Sequence, residues 1–224
     1  MTELAPPLLP MADAPAPDAD DAASAALTAR IITAAHRLLD TSGLEGVTIR
    51  AVLAAAGVNR RVFYERFADK DQLMLAVFAG AIQLITAESR AATAALADPM
   101  ERLQVLVDYL IVGDPARQSP TEASVRRSAA LCREHMRLAE SRPGDLKQAL
   151  RPLIDLMSEQ LAEGMARGQV REGDPEELAA FVYNLVSTTV HAILLAQDMS
   201  RVAAVDRISL AERVWAFCRR GVAP

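Results

Sequence analysis

The chain has 224 residues, of which 51% are hydrophobic and 4% aromatic, and its formal net charge is −5. Two distant cysteines, Cys132 and Cys218, are not the pattern of a disulfide scaffold or a zinc site. With no apolar run of about 18 residues and no signal-peptide pattern, we expect a reduced, cytoplasmic protein without a membrane segment.

The negative total charge conceals an uneven distribution. Residues 1–23 contain five acids and no base, whereas residues 24–80 contain seven Lys or Arg against five Asp or Glu. A nucleic acid responds to local charge rather than to the total, so the acidic balance does not exclude it as a partner.

The first elements are a tail and a helix. Residues 1–23 are rich in Pro, Ala and Asp, which predicts a disordered acidic tail. From Ser24 the apolar residues, such as Ile31 and Leu38, recur at helical spacing until Gly43, a residue type that often ends helices.

Two short helices follow. Thr48 is a good N-cap for a helix that ends before Gly57, and Asn59 is an N-cap for a helix that runs to about Phe67. Two short helices joined by a glycine-containing turn form a helix-turn-helix, the arrangement in which the second helix enters the major groove of DNA.

The second of these helices lies within AGVNRRVFYERF, residues 56–67. Phe63 and Phe67 are four residues apart and must share the buried face. Arg60, Arg61 and Tyr64 then project from other faces, where arginine suits guanine and Tyr64 suits a phosphate. The alternative is a surface helix whose arginines are merely solvated.

These residues resemble the N-terminal domain of the tetracycline-repressor (TetR) family over residues 32–78. The matching elements are Ala34-Ala35, Gly43, Thr48-Ile49-Arg50, Ala56-Gly57-Val58-Asn59, Phe63-Tyr64, Phe67, Lys70 and Leu73. The resemblance implies a homodimeric transcriptional regulator, usually a repressor that a small molecule releases from its operator. It also implies a DNA-binding set made of Thr48, Arg50, Asn59, Arg60, Arg61, Val62, Tyr64 and Lys70.

Two positions depart from the family pattern. Leu53 replaces the usual Ala, and a larger side chain is expected to widen or tilt the crossing of the two short helices. Arg61 replaces a small residue, and a salt bridge to Glu65 competes with its contact to DNA. Asp71 and Glu45 are nearby acids that would weaken the attraction to DNA.

The rest of the chain predicts a larger helical bundle. Asp69 and Gln72 form a capping box at the start of a long fourth helix, and Asp98-Pro99 opens a fifth that Gly113-Asp114-Pro115 closes. Helices from Thr121 and from Asp145 follow, the latter containing Pro152, which is expected to kink or split it. GDPEE at 173–177 and the box of Ser209 and Glu212 open the last two.

The sequence therefore predicts an all-α protein of about nine helices. Its parts are a tail at 1–23, a helix-turn-helix domain at 24–68, and an effector-binding and dimerisation domain at 69–224. The last two helices are apolar on nearly all sides, which favours burial against a second subunit. A fully internal helix in a monomer is the alternative.

Polar residues interrupt the apolar helix after GDPEE at Asn184, Ser187, Thr188 and His191. Such a stripe faces a ligand, water or its symmetry mate, and a hydrogen-bonded seam across the dimer is the simpler interpretation. The candidate ligand-binding residues are Tyr109, His135, Met157, Tyr183, Asn184, Thr188 and His191. Tyr109, Met157 and Tyr183 lie at a helical spacing that is more often typical of residues packed in the core.

The sequence gives weaker support for a metal site, an enzyme or a DNA-binding protein without an effector. Cys132, His135 and Met136 resemble a soft-metal set, but core packing explains Cys132 and Met136 better. Arg126, Arg127, Arg133 and Arg137 lie on a helix with Glu134 and Glu140, which is typical of a solvated face. No metal or cofactor motif accompanies the three histidines, so an enzyme is not expected. A DNA-binding architectural or partner-recruiting protein without an effector remains the alternative function.

Overall fold

The computed structural model describes residues 19–113, 122–198 and 206–224, and the regular structure in these ranges is all helical, as the sequence predicts. Most of the predicted tail, the predicted helix end at Asp114-Pro115 and the predicted helix start at Thr121 lie outside the described residues. The nine described helices are α1 (Ala19–Gly46), α2 (Ile49–Ala56), α3 (Arg60–Tyr64), α4 (Lys70–Thr93), α5 (Pro99–Val112), α6 (Glu122–Ser141), α7 (Pro143–Ala166), α8 (Pro175–Asp198) and α9 (Arg207–Val222).

The helix-turn-helix forms as its caps predict. The Ala51 N–H donates to Thr48 Oγ1 at 3.1 Å, and the Val62 N–H donates to Asn59 Oδ1 at 2.9 Å. Between them, Gly57 takes the left-handed conformation with φ of +62°, which costs a glycine little. These local bonds fix where α2 ends and α3 begins.

A first hydrophobic core holds this unit together. Phe63 is fully buried and Phe67 nearly so, with ring centroids 5.6 Å apart, so the predicted buried face of α3 is confirmed. The other buried members of this core are Ile31, Ala34, Ala35, Leu39, Val47, Val52, Ala56, Leu73, Met74, Val77 and Ala130. Leu53 is only partly buried at its edge, while Val52 and Ala56 of the same helix are buried.

Several element boundaries differ from the prediction. Helix α1 begins at Ala19, so the last five residues of the predicted tail are helical. Its backbone leaves helical geometry at Gly43, where φ is +65°. Helix α3 ends at Tyr64, three residues before the predicted Phe67.

Helix α7 was expected to kink or split at Pro152, and it is not split, because it runs from Pro143 to Ala166 as one element. Its buried face carries Leu150 and Leu153 on either side of the proline, and α7 packs against α4, α5, α6 and α8. Packing on this scale compensates for the backbone hydrogen bond that a proline removes.

The long helix α4 belongs to both parts of the protein. Asp69 caps it by accepting from the Gln72 N–H at 2.7 Å, and Gln72 Oε1 accepts from the Ala68 N–H at 2.8 Å, which confirms a capping interaction of both residues. Its first turns contribute Met74 and Val77 to the first core. One residue later, Phe78 lies in the core of the larger bundle.

That larger core is formed by α4 to α9. Leu103, Leu153, Met157 and Leu161 are fully buried at its centre. Helix α9 packs mainly on α5, and its contacts with α8 are few. Helix α4 and residues 175–194 of α8 are long and apolar enough to cross a membrane by length and composition alone. Both nevertheless pack against other helices of the bundle.

Candidate functional site

The predicted nucleic-acid-binding residues lie together on the surface of the α2–α3 unit and the first turn of α4. The exposed ones are Thr48, Arg50, Asn59, Arg60, Arg61 and Tyr64, and the partly buried ones are Val62 and Lys70. The cap that Asn59 supplies to α3 uses one lone pair of its Oδ1 and fixes the amide in place, which leaves its NH2 group free to donate. The residues that cap α2 and α3, Thr48 and Asn59, therefore lie on the same exposed surface as Arg60 and Arg61.

Tyr64 is placed by the core beneath it. Its ring meets Phe63 edge-on at 5.3 Å between centroids, and the guanidinium of Arg60 lies 5.9 Å from the centroid of the Tyr64 ring. The side chain remains 44% exposed. Buried Phe63 thus packs against Tyr64, and Tyr64 packs against Arg60. The side chains of Tyr64 and Arg60 are both accessible to a phosphate or a base.

The expected competition for Arg61 is present. Arg61 Nε lies 3.0 Å from Glu65 Oε1, one helical turn away, with Arg61 itself 88% exposed. A salt bridge this exposed contributes at most about 1 kcal/mol. A stronger anion can therefore take the place of Glu65.

Asp69 and Asp71, at the start of α4, are bound by arginines of the larger bundle. Arg142 reaches Asp69 at 3.3 Å, and Arg137 reaches Asp71 at 3.0 Å while also pairing with buried Glu134. The solvated face expected for Glu134 and Arg137 is therefore wrong. Neutralising Asp71 in this way also lessens its expected repulsion of DNA.

The described part of the larger bundle contains an outer groove and an inner cavity. The outer groove, of about 610 Å³, runs between the end of α6, the first half of α7 and α8. The inner cavity, of about 120 Å³, lies among α4, α5, α6 and α8. His135, Tyr183 and Ser187 line both, so the two spaces meet at these three side chains.

The cavities contain only part of the predicted ligand-binding set. His135 and Tyr183 line both spaces, and Asn184 and Thr188 line the outer groove. Tyr109 and Met157 are buried and are not among the lining residues of these two spaces. His191 is not among the lining residues either, although its charge acts on His135.

Phe78, which was not predicted to bind a ligand, lines the inner cavity, and so does Ser187 of the predicted polar stripe. Helical spacing identifies both as inward-facing but does not distinguish a cavity from solid core.

His135 stands where the two cavities meet. Its ring stacks on Phe78 at 5.9 Å between centroids and meets Tyr183 edge-on at 5.8 Å. Burial, together with the neighbouring His191, lowers the pKa of His135 below its usual 6.5. The imidazole is therefore uncharged at neutral pH.

The supposed soft-metal set does not form a site. Burial raises the pKa of Cys132 to about 11, which keeps the thiol protonated, and Met136 is 39% exposed rather than in the core as expected. Within the described ranges, no group of three His, Cys, Asp or Glu residues lies close enough to hold a metal ion.

An apolar surface is exposed on the last two helices. Phe181 of α8 is 56% exposed, while Ile208 and Phe217 of α9 are 62% and 65% exposed. Large apolar side chains exposed at this level mark surfaces that contact another molecule when they cluster.

Comparison with known proteins is consistent with this arrangement. Residues 31–77 match the family model described as bacterial regulatory proteins, tetR family. No curated protein matches the sequence significantly.

Among solved structures, the fatty acid degradation regulator FadR from Bacillus halodurans is 19% identical with a TM-score of 0.65, over 87% of this chain and 98% of that one. RolR in complex with resorcinol is 19% identical with a TM-score of 0.66, over 90% of both chains. AibR in complex with isovaleryl coenzyme A and operator DNA is 18% identical with a TM-score of 0.55, over 85% and 97%. These likenesses show a shared fold.

The lowered pKa of His135 predicts that acid destabilises the protein. Below pH 6.5 the unfolded chain binds a proton at this histidine more readily than the folded one, so stability falls as the pH decreases towards the folded-state pKa. We expect the unfolding midpoint in urea to fall between pH 7.5 and 5.5, and to fall less in His135→Phe. Equal losses in the two proteins would contradict the assignment.

Proposed function

We propose that the protein is a sequence-specific DNA-binding transcriptional regulator acting in the cytoplasm, because residues 31–77 match the family model of bacterial regulatory proteins of the tetR family. In this proposal it is a repressor that a small molecule releases from its operator. The observation that carries the proposal is the exposed set of caps, arginines and Tyr64 on the matched domain, supported from below by Phe63 and Phe67.

Each exposed group has a role in this proposal. Arg60 and Arg61 contact guanine edges or phosphates, and Asn59 donates to a base. Thr48, Tyr64 and Lys70 hold phosphates, with Arg50 beside them. Val62 contacts a thymine methyl group. Glu65 releases Arg61 when DNA arrives, because the exposed pair is weak.

The proposed functional unit is a homodimer. Two DNA-reading helices must sit about 34 Å apart to enter successive major grooves on one face of DNA. The exposed Phe181, Ile208 and Phe217 favour α8 and α9 as the contact between two copies, since pairing would remove their apolar surface from water. Solved structures of this fold with ligands and with operator DNA support the proposal by analogy.

In this proposal, a ligand bound in the cavities acts on the DNA-binding unit through the helices that line them. A ligand at His135 would shift α6, whose Arg137 binds Asp71 in the first turn of α4. A shift of the adjoining start of α7 would move Arg142, which binds Asp69. Tilting α4 would then change the separation of the two reading helices and lower the affinity for the operator.

The DNA assignment predicts the behaviour of a double variant, Arg60→Ala with Arg61→Ala. We expect it to bind the DNA upstream of its own gene at least tenfold more weakly than wild type, because two charged contacts are lost. Titrations at several salt concentrations should show a salt dependence reduced by about two ions.

The matched control for this variant is Arg90→Ala with Arg171→Ala, which removes two exposed arginines of the larger bundle and should bind like wild type. Equal affinity of the Arg60/Arg61 variant and wild type would contradict the assignment. Failure of the wild-type protein to prefer this DNA over unrelated DNA would refute the proposed function.

The proposed dimer contact is tested by a second double variant, Phe181→Asp with Phe217→Asp. Two charges on the apolar face should convert a dimer into monomers, as measured by light scattering after size-exclusion chromatography. Leu84→Asp is the control, since Leu84 is also 55% exposed but lies on α4. A double variant that stays dimeric, or a wild type that is monomeric, would show that α8 and α9 are not the contact.

A further inference from the structure

The inner cavity has the size and walls of a site for one small ring. Its volume of about 120 Å³ is on the scale of an apolar protein cavity of about 150 Å³ that binds benzene. Most of its lining is apolar, including Ile82, Ile85 and Leu110, and Phe78 and Tyr183 supply aromatic faces. A single aromatic ring therefore fits its volume and its chemistry.

The polar groups of this cavity are uncharged. The described residues of its lining include no Asp, Glu, Lys or Arg, and their hydrogen-bonding side chains are Ser128, Cys132, His135, Tyr183 and Ser187. His135 has no hydrogen bond to any residue that the structure describes, and it lies at the junction with the outer groove. A partly buried imidazole in that position favours a ligand with a hydroxyl group, because a hydroxyl can donate to it or accept from it.

The charges of the outer groove disfavour a polyanionic ligand. Among its described lining residues the cations are Lys147 and Arg151, and Arg151 is paired with Asp155 at 2.7 Å and Glu176 at 3.0 Å. Asp174, Glu176 and Glu177 lie on the same rim. These residues place three carboxylates against two cations along the groove, which disfavours a ligand with several negative charges.

We infer that the effector is an uncharged hydroxyaromatic compound, a phenol whose ring fills the inner cavity and whose hydroxyl hydrogen-bonds to His135. This inference rests on the proposed function, in which these cavities hold the effector. The ring stacks among Phe78, Tyr183 and Ile85, and the groove serves as its entrance.

The inference is tested by isothermal titration calorimetry of the full chain at pH 7.5 with five probes. These are phenol, toluene, benzoate, choline and acetyl-coenzyme A. Phenol should bind most tightly, toluene more weakly because it lacks the hydroxyl, and the three charged probes weakest of all. Tighter binding of any charged probe than of phenol, or no binding of phenol, would overturn the inference.

Two variants locate the site. His135→Phe keeps a ring in place but removes the hydrogen bond, so it should weaken phenol binding about fivefold and leave toluene binding unchanged. Ile85→Trp should fill the cavity and abolish phenol binding, whereas Leu84→Trp, at the exposed neighbouring position, should preserve it. Equal weakening of phenol and toluene by His135→Phe, or phenol binding retained by Ile85→Trp, would contradict the placement.

Failure of this inference is distinguishable from failure of the proposed function. Binding of the upstream DNA is measured without any ligand, so a protein that prefers that DNA but ignores phenol refutes the inference alone. A protein that binds phenol but has no preference for that DNA refutes the proposed regulator instead.

Discussion

The structure depends on two hydrophobic cores that share helices, chiefly α4, with α6 also joining them through Ala130 and Leu138. Val77 of α4 is fully buried with Phe63 in the small N-terminal core, and Phe78, the next residue, is buried in the core of the larger bundle. The helix runs without interruption from Lys70 to Thr93. Any displacement of α4 by the larger bundle is therefore passed to the unit that carries the exposed arginines, since no flexible linker separates them.

The ion pairs at the start of α4 connect its first turn directly to the helices of the larger bundle. Arg137 and Arg142 come from α6 and the residue preceding α7, the elements that border the outer groove, and they bind Asp71 and Asp69. Partly exposed pairs of this kind contribute little stability each. Weak ion pairs are compatible with the proposed movement of α4 between two positions, because neither position is then favoured by many kcal/mol.

The parts of the structure that sequence predicted are those set by local interactions. The caps by Thr48, Asn59 and Asp69 involve hydrogen bonds that span three residues, and the burial of Phe63 and Phe67 follows from their spacing. The resemblance over residues 32–78 is likewise a local pattern, and the matched domain lies in the same region.

Several failures of prediction concern contacts between distant parts of the chain, whereas the capping box predicted for Ser209 and Glu212 failed locally, because Asp206 caps α9. The pairing of Arg137 with Asp71 joins residues 66 positions apart, and nothing in the sequence selects that partner. Pro152 was expected to kink or split α7, but α7 packs on four neighbouring helices and is not split. Tyr109 and Met157 were predicted to bind a ligand, and only the three-dimensional structure shows that both are buried.

The shared helix is tested most directly by asking whether the two cores unfold together. Trp215, the chain's only tryptophan, is buried in the larger core, whereas Val52 is fully buried in the small one. Val52→Ala should lower the urea midpoint of Trp215 fluorescence by the same amount as that of far-ultraviolet circular dichroism, measured at equal protein concentration. A Trp215 midpoint that stays at the wild-type value would show that α4 does not couple the cores.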